Sequence, residues 1–137
     1  MPPDRAGYSG TPLPRKLGIE PASRVLLDGP PPGFALCGLA PTVTVHQRVG
    51  RQPYDVIVVF CPDLARLTRR FGPLTRRLTA AGALWVGWPK RSGGMATDLT
   101  ENIVREFGLA AGLVDVKVCA MDEVWSGLKF VVRLRDR

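Results

Sequence analysis

The feature that most constrains this chain is its repeated alternation of short β-branched apolar runs with segments patterned at helical spacing. Tyr54-Asp55-Val56-Ile57-Val58-Val59-Phe60 is uninterrupted and follows the loop residues Gly50 and Pro53, which predicts a strand covered on both faces. Leu64, Leu67, Phe71, Leu74 and Leu78 then recur at three- and four-residue steps, a stripe that predicts a helix packed on a sheet. Residues 83–88 read as the next buried strand, residues 98–107 as the next helix, and residues 113–120 and 128–134 as two strands of period two. Such alternation calls for a largely parallel sheet between covering layers.

Around this frame, residues 24–28 form a first core strand that Gly29-Pro30-Pro31-Pro32-Gly33 breaks sharply. Residues 34–39 are expected to make one helical turn, and residues 42–46 a peripheral second strand. Pro62 suits the first turn of the Leu-rich helix, Gly72-Pro73 is expected to split or kink it, and Ala81-Gly82 to close it. Asp98 and Glu101 read as an acidic capping box, with Gly108 ending that helix. The fold class is therefore α/β: a minimal Rossmann-like three-layer sandwich, its mostly parallel sheet closed by an antiparallel C-terminal strand pair. Residues 1–23 are an arm expected to dock from about residue 7 through Tyr8, Leu13, Leu17 and Ile19, and residues 24–137 a single domain.

The chain has 137 residues, enough to bury a core without disulfide or metal support. Its longest apolar runs fall short of the roughly 20 residues that span a bilayer, and Met1-Pro2-Pro3-Asp4-Arg5 opens no signal peptide. Three cysteines, odd in number and set in apolar segments, read as reduced thiols of a cytoplasmic protein with no membrane partner. The formal charge of +7 attracts polyanions. The arginines, however, are scattered over helix faces, so a solvated basic surface is preferred to nucleic-acid binding.

The succession of residues 24–134 resembles the second half of the class I methyltransferase fold, matching at residues 54–60, 74–88 and 107–133. That resemblance implies a Gly-rich loop after the first strand, an acid after the second for the ribose hydroxyls of S-adenosylmethionine, and a catalytic motif after the next. Here three prolines without N–H groups stand between Gly29 and Gly33, Val45 is followed by His46 and Gln47, and Cys61-Pro62-Asp63 occupies the third position. One helix–strand repeat is missing between the second and third strands. Gly7-Tyr8-Ser9-Gly10-Thr11-Pro12-Leu13, Lys16-Leu17-Gly18-Ile19, Trp88-Pro89-Lys90, residues 112–118 and residues 122–130 together resemble a small bacterial family of domains of unknown function.

Ligands of open α/β sheets sit beyond the carboxyl ends of the strands, which makes Asp28, Gly29, Gly33, Cys61, Lys90 and Ser92 the candidate ligand-binding residues. Asp122, Trp125, Ser126 and Lys129 form a second polar cluster. It builds either a small pocket or, the preferred reading, a turn in which Asp122 accepts backbone N–H bonds and Trp125 packs on the core. No catalytic constellation is complete: His46 lacks a partner by sequence, and Ser126-Gly127 is no nucleophile elbow. Neither a metal nor a cofactor is assigned. The expected function is a non-enzymatic binding or regulatory domain on a degenerate methyltransferase-like fold, acting on a protein partner or as a homo-oligomer. The alternatives are a nucleotide- or S-adenosylmethionine-dependent enzyme and a basic nucleic-acid accessory protein.

Overall fold

The computed structural model describes residues 11–137. A short helix α1 (Leu13–Lys16) precedes strands β1 (Arg24–Asp28), β2 (Thr44–His46) and β3 (Tyr54–Phe60). Helix α2 (Leu64–Thr75), strand β4 (Leu78–Pro89), helix α3 (Glu101–Ala110) and strands β5 (Leu113–Ala120) and β6 (Trp125–Val132) follow. The strands make one six-stranded sheet in the order β2-β1-β3-β4-β6-β5. β1 pairs in parallel with β2 and β3, β3 pairs in parallel with β4, and β6 runs antiparallel to both β4 and β5. The α/β class and the closing antiparallel pair are thus as the patterning predicts.

Each sheet face carries its own core. Leu26, Ile57, Val59, Leu84, Val86, Leu128 and Phe130 meet Leu67, Phe71 and Leu74 of α2 and Val104 of α3 on one side. Burial of each such large side chain stabilises by about 1.5–3 kcal/mol, so this helical face carries much of the fold. On the other side Val25, Leu27, Val58, Phe60, Trp85 and Trp125 are covered by the short helix α1 and by loops, with Leu13, Ile19, Phe34, Leu36 and Val43 laid over them. Leu17 is fully buried there, and its carbonyl accepts a bond from Trp85 Nε1 at 3.1 Å. Tyr8 and the expected docking of residues 7–10 lie outside the described residues.

Local departures from the sequence reading have identifiable causes. Residues 34–39 form no helical turn; Phe34 instead packs edge-on to Phe60 at 4.8 Å and pulls the loop onto the sheet. α2 runs unbroken through Pro73, which lies in its last turn and forfeits the one bond that an N–H there would make to the Arg69 carbonyl. β4 begins at Leu78 with an irregular pairing opposite residues 54–56, where Gly82, lacking a Cβ, lets the Tyr54 carbonyl approach. α3 is capped by Thr100, which accepts from the Ile103 N–H, while Asp98 turns away to accept from Leu64 N at 2.9 Å and so helps to cap α2. Gly108 is interior to α3, and the exit is made at Gly112 with φ +95°. Among the described residues no helix is long and apolar enough to cross a membrane.

Candidate functional site

The four parallel strands end on one rim at Asp28, His46, Phe60 and Pro89. Asp28, 14 % exposed, holds two guanidiniums of α2: Arg66 Nη2 at 2.9 Å and Arg70 Nε at 3.0 Å. Arg66 Nε also donates to the Phe60 carbonyl at 2.9 Å, so this one side chain ties the end of β1 to the end of β3. Four-residue spacing places both arginines on the same face of α2. Asp63 fixes the start of that helix by accepting from Arg66 N.

The loop after β1 leaves in the left-handed region at Gly29 (φ +70°), against the Arg66 guanidinium, and re-enters it at Gly33 (φ +80°). Between them Pro30, Pro31 and Pro32 supply carbonyls and no N–H. His46 Nδ1 is engaged by Tyr54 Oη at 2.6 Å. Cys61 is wholly buried, and that burial pushes its thiol up to about 12, so the helix terminus beside it does not produce a thiolate.

Lys90 lies apart from this cluster. With Arg91, Thr97, Thr100 and Ser126 it lines a cavity of about 460 Å³ beyond β4, whose apolar wall includes Trp88 and Leu99. The loop that bounds the cavity is fastened to the segment leading into α2 by Thr97 Oγ1, which donates to the Pro62 carbonyl at 2.7 Å. Ser92 is exposed in the short turn Arg91–Gly93, which packs on Val124 through Lys90 N and Gly93.

The second polar cluster is dispersed. Asp122 Oδ1 accepts from Val124 N at 2.8 Å and from Trp125 N at 2.7 Å, which makes a tight turn. Trp125 is buried edge-on to Phe60, and Lys129 pairs with Trp85 and Lys117 farther along β6, its ammonium depressed by burial and then by Lys117. Of this group only Ser126 reaches the Lys90 cavity. By pattern alone Arg66 and Arg70 belong to a solvated helix face. The signal that finds them is their position in the first two turns after Asp63, beside the strand ends.

A six-stranded sheet in this order, parallel except for its closing pair, defines a methyltransferase-like Rossmann fold. No family model and no curated protein matches the chain. Among solved structures it is similar to the N-methyltransferase NodS from Bradyrhizobium japonicum WM9, with a TM-score of 0.58 and 17 % identity over 86 % of this chain and 90 % of that one. It is similar to TrmN from Thermus thermophilus at a TM-score of 0.55 and 14 % identity, covering 89 % of this chain but only 47 % of TrmN. A putative methyltransferase from Thermoplasma acidophilum gives 0.51 at 8 % identity, over 98 % of this chain and 84 % of that one.

These likenesses overturn the expectation of a non-enzymatic binding or regulatory domain. That expectation rests on the three prolines that remove amide donors from the loop after β1. The structure places other donors, the guanidiniums of Arg66 and Arg70, beside that loop.

Proposed function

We propose that this protein is an S-adenosylmethionine-dependent enzyme of the methyltransferase class, with its cofactor at the rim of β1 and β3. The observation that supports this most is the likeness to NodS, which extends over 86 % of this chain and 90 % of the other. The rim carries the charges that an amino-acid zwitterion needs, Asp28 for the ammonium and Arg66 and Arg70 for the carboxylate, and binding would exchange part of the pairing these three side chains make with one another. It lacks an amide cradle, so the donors on this reading come from α2 instead of the loop. When bound, the cofactor supplies an electrophilic methyl group. Asp28, Arg66 and Arg70 would orient its amino-acid end. Cys37, Cys61 and Cys119 are free thiols, which accords with a cytoplasmic setting.

The test is calorimetric titration with S-adenosylmethionine and S-adenosylhomocysteine. One saturable site, weakened at least tenfold in Arg66→Ala and Arg70→Ala variants that still fold, supports the reading. No heat and no thermal shift at millimolar S-adenosylhomocysteine sinks it.

A further inference from the structure

The cavity beyond β4 has a charge balance unlike the rest of the rim. Glu101 borders it, but that carboxylate is held by Arg105 Nη2 at 2.8 Å, and Arg105 in turn reaches Asp115. Among the described residues no ion pair or hydrogen bond engages the Lys90 ammonium, the Arg91 guanidinium or the Ser126 hydroxyl. By contrast, Arg66 and Arg70 on the neighbouring helix are both committed to Asp28. Two cations and a hydroxyl donor without partners among the described residues therefore line one concave space, together with Trp88 and Leu99. Its volume, about 460 Å³, suits a small organic molecule better than a bare ion.

We infer that this cavity binds a small organic oxyanion, a carboxylate or phosphate monoester carried on a compact apolar body. Arg91 supplies the planar fork, Lys90 a point charge, and Ser126 a hydroxyl donor from the antiparallel strand beside Trp88. The apolar body lies along Trp88 and Leu99. Lys90 is set in place by its own backbone N–H, which donates to the Val124 carbonyl at 2.8 Å, and the Thr97 tether to Pro62 holds the opposite wall. The site is thus built from β4, β6 and the loop before α3, independently of the Asp28 cluster. Only the further step, that the oxyanion is the acceptor substrate, rests on the methyltransferase reading.

Titration of the labelled protein with benzoate, phenyl phosphate and benzyl alcohol at constant ionic strength, followed by amide chemical shifts, tests this. Saturable shifts confined to Lys90, Arg91, Thr97 and Ser126 with at least one anion support the site, and the tighter anion identifies the carboxylate or the phosphate source. Affinity should fall at least tenfold in Lys90→Gln and Arg91→Gln and stay unchanged in Arg69→Ala, an exposed arginine of α2. Equal affinity for benzyl alcohol, shifts spread over the exposed arginines, or wild-type affinity in both variants overturns the site. Should Lys90→Gln fail to fold, the Arg91→Gln and Ser126→Ala titrations decide the matter by the same criterion. Oxyanion binding without uptake of S-adenosylhomocysteine would leave this site standing and sink the proposed function; the converse result would sink this site alone.

Discussion

The ring of Phe130 lies directly over the Cα of Gly108, so that a methyl group at position 108 would come within 2.6 Å of Phe130 Cδ1 and nearer still to Cε1 and Cζ. This close approach lets α3 settle onto β6, and Phe130 in turn stacks edge-on to Phe71 of α2 at 5.6 Å. Alanine at an interior helix position ordinarily gains about 1 kcal/mol over glycine. Here we predict a net loss of about 1–3 kcal/mol, because overpacking forces a buried ring off its position. Urea unfolding of Gly108→Ala should show a lowered midpoint at unchanged slope. Adding Phe130→Leu should recover part of it.

The same glycine shows where the sequence is readable and where it is not. β3 is legible because the five residues after Asp55 are all β-branched or aromatic and favour the extended conformation, and α2 because its leucine stripe is regular. Gly108 resembles a helix stop, since a pattern along one chain cannot reveal a ring approaching from another strand. Leu78 continues the α2 stripe by spacing, yet it starts β4, because the helix has already ended at Thr75. At the rim, Asp28 is visible as the acid closing a strand. Its two arginine partners are 38 and 42 residues away, and only the packing of α2 on β3, the strand next to β1, joins them. The Asp122 turn is legible because its bonds span two and three residues.

Arg66 makes two divergent contacts, Nη2 to Asp28 and Nε to the Phe60 carbonyl, which a lysine ammonium cannot reproduce together. Arg66→Lys is therefore expected to cost nearly as much stability as Arg66→Ala. A double-mutant cycle of Asp28→Ala with Arg66→Ala should give a coupling of about 1 kcal/mol, at the upper end for a partly exposed pair. The pair is 14 % and 23 % exposed, so the coupling should shrink only modestly at high salt. A coupling near zero would mean that the guanidinium serves Phe60 alone.

Cys61 gives the protein an alkaline liability. Burial first, and then the nearby Asp28 and Asp63 against the opposing pull of Arg66, raise its thiol from 9.0 to about 12. Above pH 9 the unfolded chain therefore binds fewer protons than the folded one, and stability falls as pH rises from 9 towards 12. Cys119, also raised by burial, adds to that slope, whereas Lys129, lowered by burial, opposes it. The difference between wild type and Cys61→Ala isolates the contribution: the variant's urea midpoint should decline less between pH 8 and pH 10. In the folded protein at pH 8 a thiol reagent should modify the exposed Cys37 first and reach Cys61 only on unfolding.

Trp85 joins the N-terminal segment to the sheet by a single buried hydrogen bond, from its Nε1 to the Leu17 carbonyl. The indole is wholly buried among Val58, Phe60 and Met121, and Leu17 beside it is also at zero exposure. Phenylalanine at this position keeps most of the apolar contact but strands the carbonyl away from water, a loss of about 1–3 kcal/mol. The two contributions separate by location. If the hydrogen bond anchors the segment, hydrogen exchange in Trp85→Phe should accelerate at the amides of Leu17, Gly18 and Ile19, which close α1 onto Leu13, Arg15 and Pro14, while β3 and α2 remain protected. If the indole acts only by filling space, protection should fall evenly across β3, β4 and the segment as global stability drops. We predict the local pattern, because β3 and α2 also pack against a second core on the opposite face of the sheet, which the substitution does not touch.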